Sequence, residues 1–167
     1  MSFILILFYA LTFLAVYVQV LFLVTYFENH KKIVIRNESI ELPHYPSVTV
    51  IVPCYNEERT VSLTVDSLLE MSYPADKLRI IVVDDGSKDK TWESLQIYKD
   101  NPRVEIYKKE NGGKHTALNF GLEHTTSELV GCLDSDSSVH PEALKRIVTL
   151  FDNPKTMAVA PSIVVRS

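Results

Sequence analysis

The sequence predicts an α/β protein, with helices flanking a mostly parallel sheet and one transmembrane helix ahead of it. Three observations predict this. No residue from Ser2 to Phe27 is charged. After Pro46, short β-branched runs alternate with segments of helical periodicity, the signature of a sheet wound with helices. Four of the apolar runs lead into clusters of Asp, Asn, Gly and Lys. That is where parallel sheets present groups to a ligand.

The apolar stretch runs from Phe3-Ile4-Leu5-Ile6-Leu7-Phe8 to Leu21-Phe22-Leu23-Val24, interrupted by Thr12 and Gln19. It exceeds the ~20 residues a helix needs to cross a bilayer. A cleaved signal peptide would need a basic start and a small-residue cleavage site. No Lys or Arg precedes the run, and Val24-Thr25-Tyr26-Phe27 is a poor site. Residues 1–27 are therefore expected to be a retained transmembrane helix. Lys31, Lys32 and Arg36 follow it closely, which places the remainder in the cytoplasm by the positive-inside rule. Residues 28–46 form an expected juxtamembrane connector, with the alternating piece Ile33-Val34-Ile35 and closing prolines at Pro43 and Pro46.

Residues 47–167 carry the alternating elements. Val48 to Val52 is an expected strand, and Glu57 to Glu70 a helix with Val61, Leu63, Val65, Leu68 and Leu69 on its apolar positions. Leu78 to Val83 is a second strand. Asp89 to Lys99 is a second helix, with Ser87 or Asp89 as its cap. Val104 to Tyr107 is a third strand, and Lys114 to His124 a third helix behind Gly112-Gly113. Glu128 to Leu133 reads as a buried fourth strand. Pro141 to Phe151 is a fourth helix with Pro141 in its first turn. Met157 to Ala160 is an expected fifth strand.

The formal net charge of −4 gives no support for nucleic-acid binding. Lys31 and Lys32 are better explained by topology and anionic lipid headgroups. Cys54 and Cys132 are the only cysteines. Both are expected to fill core positions, and no zinc spacing exists.

The strand-end clusters carry the chemistry. Asp134-Ser135-Asp136 offers two carboxylates two positions apart at the end of an apolar strand. Mg²⁺ takes one or two carboxylates together with substrate phosphates, so the pair suggests a metal-diphosphate site; an acidic turn is the plainer alternative. Asp84-Asp85-Gly86-Ser87 offers either a carboxylate for a base or ribose, or a helix cap. Asn111-Gly112-Gly113-Lys114 opens a helix. Its backbone N–H groups and the Lys114 charge fit an anion, although it is not a Walker A loop and a simple turn fits as well. Pro53-Cys54-Tyr55-Asn56-Glu57-Glu58 ends the first strand, where Tyr55 either stacks on a base or packs. His115 reads as a neighbour of its cluster rather than a ligand, and His140 as a loop residue before Pro141. In a parallel sheet all four clusters lie along one edge and can converge on one ligand.

In this order, Val50–Glu57, Ile81–Ser87, Asn111-Gly112-Gly113-Lys114-His115-Thr116-Ala117-Leu118-Asn119 and Asp134–Asp136 resemble a family 2 glycosyltransferase of the GT-A fold. The Gly-Lys…Ala-Leu-Asn run is similar to the membrane-bound processive members: poly-N-acetylglucosamine, hyaluronan, chitin and cellulose synthases. The resemblance implies a Rossmann-like nucleotide-diphospho-sugar-binding sheet. It also implies metal-dependent, inverting transfer of a sugar from a UDP-sugar to a glycan or lipid-linked acceptor, in the service of polysaccharide biosynthesis. N-acetylglucosamine is the sugar that analogy points to. By the same resemblance Pro53, Tyr55, Glu57 and Asp85 line the nucleoside pocket, and Lys114 lies near the phosphates. Asp134 contacts the nucleotide-sugar, and Asp136, with Asp134, ligates Mg²⁺ or Mn²⁺ in the Asp-x-Asp motif. The sequence departs from the family in lacking the later acidic motif that supplies the base and the Gln-x-x-Arg-Trp motif; the only tryptophan is Trp92. The expectation is therefore a donor-binding part without a catalytic residue of its own. The alternative is a membrane-anchored nucleotide-sugar-binding module without turnover. A phosphoacceptor receiver domain would also cluster carboxylates at strand ends, but it predicts no Asn-Gly-Gly-Lys loop.

Overall fold

The protein is described by a computed structural model covering residues 3–33 and 41–161. These residues fall into two compact units, 3–33 and 41–161.

The first unit is one helix, α1 (Phe3–Ile33). Its apolar part, Phe3–Phe27, is 25 residues long. At about 1.5 Å per residue that is roughly 37 Å, longer than a hydrocarbon core of about 30 Å. Its apolar side chains are exposed all round the helix, as lipid contact requires. The hydroxyls of Thr12 and Thr25 donate to the carbonyls of Phe8 and Leu21 at 2.9 and 2.8 Å, so their polarity is satisfied within the helix. The helix continues past Phe27 to Ile33, into the expected connector. Val34 and Ile35 of the alternating piece, and Arg36, lie outside the described residues.

The second unit is a four-stranded parallel sheet. Its strands are β1 (Val48–Cys54), β2 (Leu78–Asp84), β3 (Val104–Lys108) and β4 (Leu129–Cys132), in the order β3-β2-β1-β4. β-branched residues build the centre: Val50, Ile51, Val52, Ile80, Ile81, Val82 and Val83 are all buried. Strands covered on both faces read as continuous apolar runs. Each such side chain contributes about 1.5–3 kcal/mol on burial. The connecting helices are α2 (Val61–Leu69), α3 (Thr91–Leu95), α4 (Lys114–Glu123) and α5 (Ala143–Val148). On one face Val50, Val52, Ile80 and Val82 pack with Val61, Val65 and Leu68 of α2, Leu95 of α3 and Leu144 and Val148 of α5. On the other, Ile81 and Val83 pack with Ala117 and Phe120 of α4. α4 sits very close to β1: a Cβ at Gly121 would lie 2.6 Å from Ile51 Cγ2.

The strand order positions the site. The chain steps outward from β1 to β2 to β3, then crosses to the far side of β1 for β4. The direction of winding reverses between β1 and β4, and a crevice opens beyond their C-terminal ends.

Several expectations are corrected. Met157–Ala160 forms no strand. An apolar run becomes a strand only when a neighbour takes up its backbone groups, and none of the described residues does so. β4 is not fully buried: Leu129 and Gly131 are half-buried, while Val130 and Cys132 are exposed. It is the last strand of the described sheet, and α4 covers β1 and β2 rather than β4. Cys132 is therefore not a core cysteine, whereas Cys54 is. The second helix is a short α3 followed by a 3₁₀ turn at Gln96–Tyr98, because residues 87–90 are held by the neighbouring loop. The last helix starts at Ala143, after Pro141, whose carbonyl accepts the N–H of Ser72 at 3.0 Å.

Candidate functional site

The loops after β1 and β2 are stitched together. Asn56 adopts a left-handed backbone (φ 57), which Asn tolerates. Its N–H donates to Ser87 Oγ, and its side-chain oxygen accepts from Lys88 N–H, both at 2.9 Å. Glu57 N–H donates to Thr91 Oγ1 at 2.7 Å, and Glu58 N–H to Asp89 Oδ2 at 3.2 Å. Asp89 Oδ1 also accepts from Thr91 N–H at 3.0 Å, but the N-cap position of α3, expected for Ser87 or Asp89, is held by Lys90, which makes no side-chain cap bond. Ser87 holds the neighbouring loop instead of a helix end.

Asp84 and Asp85 are both buried and point to opposite faces of the sheet. Asp84 Oδ1 accepts from Ser87 N–H at 2.8 Å, and Lys108 Nζ lies 3.5 Å from Oδ2. Asp85 takes Lys109 Nζ at 2.6 Å, Gly113 N–H at 2.7 Å and Gly112 N–H at 3.1 Å. Burial pushes the Asp85 carboxyl up, but Lys109 and the two glycine N–H groups outweigh it and hold the group below its ordinary range. This corrects an expectation: the glycine N–H groups of the Asn111–Lys114 loop are aimed at the protein's own carboxylate, not left open for a phosphate. The contact needs Gly86, at φ 76. A Cβ there would lie 2.9 Å from Asn111 N and 3.2 Å from Lys109 O.

Opposite, the turn after β4 carries Asp134 and Asp136. It is anchored by Leu133 N–H donating to Ile51 O at 3.0 Å and by Thr64 Oγ1 of α2 donating to Ser135 O at 2.8 Å. Ser135 is buried while both aspartates are exposed. Lys114 Nζ donates to Asp134 Oδ1, and that bond raises the pKa of the ammonium. Among the described residues, the hydrogen bond to Asp136 comes from Ser137 Oγ, at 3.4 Å.

These groups enclose a cleft of about 250 Å³ lined by Pro53, Cys54, Tyr55, Glu57, Asp85, Lys114, Asp134, Ser135 and Asp136. All seven residues expected from the sequence, Pro53, Tyr55, Glu57, Asp85, Lys114, Asp134 and Asp136, line it. Tyr55 is exposed rather than packed. Glu57 Oε2 accepts from Thr60 Oγ1 at 2.6 Å. His115 and His140 are not among the lining residues. Cys54 joins the lining, but burial and the nearby Asp84 and Glu57 push its thiol up to about 12, so it is no nucleophile at neutral pH. Lys109 and Thr116, behind Asp85, were not legible in advance. Their only signal is the repeated pair Asp84-Asp85 and Lys108-Lys109, whose matching depends on strand register.

The donor set fits a hard divalent cation. Asp134 and Asp136 offer only oxygen, from an exposed turn. Among the described residues no three His, Cys, Asp or Glu converge into a complete cage. Two carboxylates completed by ligand oxygens is the pattern of Mg²⁺ with a phosphorylated substrate, and it does not suit zinc.

Residues 49–167 match the model of the family described as glycosyl transferase family 2. Over 126 residues the chain is 32% identical to a poly-beta-1,6-N-acetyl-D-glucosamine synthase of Staphylococcus aureus, covering 74% of this chain and 30% of that protein. Over 114 residues it is 34% identical to the beta-monoglucosyldiacylglycerol synthase of Synechocystis sp., covering 66% and 24%. The chain thus spans about a quarter to a third of the curated relatives it matches. Among solved structures it resembles the mannosyltransferase PcManGT of Pyrobaculum calidifontis in complex with GDP-Man and Mn²⁺ (TM-score 0.64, 30% identity, 79% of this chain and 40% of that one). It also resembles S. aureus TarS 1-349 in complex with UDP-GlcNAc (TM-score 0.57, 29% identity, 64% and 31%).

Proposed function

Because the chain belongs to glycosyl transferase family 2, we propose that it is the donor-binding part of a membrane-anchored glycosyltransferase that takes a UDP-sugar. The observation that carries this is the convergence of four strand-end clusters on one cleft at the switch point between β1 and β4. Tyr55 offers a ring for the base. Asp85, kept ionised, accepts a hydrogen bond from the nucleoside, and Pro53 and Glu57 shape the wall beside it. Lys114 places a positive charge beside the diphosphate. Asp134 and Asp136 would hold Mg²⁺ or Mn²⁺, which neutralises charge building on a departing diphosphate. The Mn²⁺ complex of one structural neighbour supports the metal, and the UDP-GlcNAc complex of another supports the uridine and the N-acetylglucosamine. Inversion at the anomeric carbon and a glycan or lipid-linked acceptor are the further parts of the reading. The names of the two curated relatives support the acceptor classes. The exposed apolar face of α1 supports membrane anchorage, and the basic residues after it support a cytoplasmic site.

We assign no catalytic base within this stretch. Among the described cleft residues Asp85 and Asp134 are paired with lysines, Glu57 is bonded to Thr60, and Asp136 belongs to the cation. That observation favours the second reading, nucleotide-sugar binding without turnover, for these residues acting alone.

Calorimetric titration of UDP into the full chain in detergent, with and without Mn²⁺, tests the reading. Saturable binding that requires the metal is expected, and Asp136→Ala should abolish it. Unchanged binding in that variant overturns the metal assignment.

A further inference from the structure

We propose that Lys109, which lines no part of the cleft, is a positioning residue: it clamps Asp85 from behind in the orientation in which that carboxylate meets the nucleoside. The inference rests on the reading of the cleft as a nucleotide-sugar site.

The geometry assigns the role by exhaustion of donors. An ammonium has three N–H groups. Those of Lys109 go to Asp85 Oδ1 at 2.6 Å, Glu110 O at 2.6 Å and Thr116 Oγ1 at 2.8 Å. None is left for a ligand. Thr116 in turn donates to Gly113 O at 2.8 Å, so the ammonium, α4 and the Gly112-Gly113 loop form one closed network around Asp85. The side chains of Lys109 and Asp85 are 20% and 4% exposed, which keeps water from competing for these bonds. Asp85 Oδ1 accepts from Lys109 and Gly112, and Oδ2 from Gly113 and, at 3.3 Å, from the same Gly112 N–H, which is shared between the two oxygens. Three donors thus hold both oxygens of a carboxylate that also lines the cleft. Lys109 therefore fixes both the charge of Asp85 and the orientation in which it faces the ligand. Space is tight: a Cβ at Gly112 would lie 2.7 Å from Thr116 Oγ1 and 3.3 Å from Lys109 Nζ.

The test separates the nucleoside end of the ligand from the phosphate end. Binding of UDP, uridine, and inorganic diphosphate with Mn²⁺ is measured for the full chain in detergent, alongside thermal unfolding. Lys109→Met should weaken uridine and UDP about tenfold or more, the scale of one charge-assisted hydrogen bond, and leave Mn²⁺-diphosphate binding unchanged. Lys109→Arg keeps the charge and should recover part of the loss. Should Lys109→Met fail to fold, Thr116→Val removes one ammonium acceptor at constant shape and should weaken uridine about threefold, within the range for one neutral hydrogen bond. Unchanged uridine binding in whichever of these two variants folds overturns the proposal, as does a parallel loss of uridine and diphosphate. A wild-type chain that does not bind UDP fails at the earlier step and overturns the cleft reading itself.

Discussion

Replacing Gly86 by Ala tests how the site is built. The residue has φ 76, and forcing an alanine there costs about 1–2 kcal/mol from clash of Cβ with its own backbone. The new Cβ would also lie 2.9 Å from Asn111 N, 3.2 Å from Lys109 O and 3.4 Å from Asn111 Cα. All three are backbone atoms and cannot swing aside like the end of a side chain. The loop they belong to is pinned by Lys109 N–H donating to Asp84 O at 3.0 Å. Such overpacking adds about 1–3 kcal/mol. The sum is about 2–5 kcal/mol, a large share of the 5–15 kcal/mol typical of a folded domain. At about 4 °C per kcal/mol for a unit of this size, the midpoint should fall by roughly 8–20 °C. Thermal unfolding followed by near-UV circular dichroism reads this, with uridine titration below the transition. The loop carrying Gly112 and Gly113 moves with Asn111, so uridine affinity should fall as well. Gly86→Asn keeps the collision and relieves part of the strain, so it should lose less than Gly86→Ala without returning to wild type. A Gly86→Ala chain with an unchanged midpoint and unchanged uridine affinity would refute the argument that this approach holds Asp85 in place.

Three further outcomes are expected. Gly121→Ala gains about 1 kcal/mol of helix propensity but drives its Cβ to 2.6 Å from Ile51 Cγ2 and 3.1 Å from two more Ile51 carbons; with Ile51 fully buried, net destabilisation of about 1 kcal/mol is expected in thermal melts, and a rise in midpoint would show that α4 can lift off β1. Asp85 binds its proton less readily folded than unfolded, so its stabilisation is present above the ordinary carboxylate pKa of about 4 and is lost as pH falls through that value towards the lower folded one. Asp85→Asn should flatten that part of the acid unfolding profile; an unaltered slope would remove Asp85 as a contributor. Maleimide labelling of the native chain at mildly alkaline pH should modify exposed Cys132 alone, slowly because partial desolvation and the Asp134 charge raise its thiol too, and Cys54 only after denaturation; two thiols modified at equal rates would contradict the packing of β1.

Most of the sheet was legible because its chemistry is local. β-branched runs bounded by turn residues marked four strands, and the strand-end rule marked the cleft. Legibility failed where a residue's role depends on a partner far away in sequence. Nothing near Gly112 and Gly113 reveals that their N–H groups serve Asp85, 27 and 28 positions away; the loop reads equally well as a phosphate cradle. Cys132 looks as apolar in sequence as Cys54, and only the place of β4 in the sheet separates them. Met157–Ala160 has a strand's composition, but pairing is not a property of the segment alone. The N-cap of α3 falls to Lys90 rather than to Ser87 or Asp89: Asp89 bonds Thr91 N–H from one residue further out, and Ser87 serves the loop after β1.

The paired lysines at the end of β3 have a consequence for folding as well as for the site. Central strands buried on both faces present near-continuous apolar runs, so hydrophobicity alone hardly distinguishes one alignment from its neighbour. β2 is such a strand; between it and the half-buried edge strand β3, charge adds to the alternation of β3 in setting the alignment. Asp84 is aligned with Lys108, Asp85 meets Lys109 one step beyond, and Arg79 pairs with Glu105 at the opposite end. A slip by one residue would turn every side chain of β3 to the other face and leave one of the two aspartates buried with no lysine beside it. The same ion pairs that hold the cleft's carboxylate in place thus act as a proofreading code for strand alignment, and a mispaired sheet fails before it can present a site.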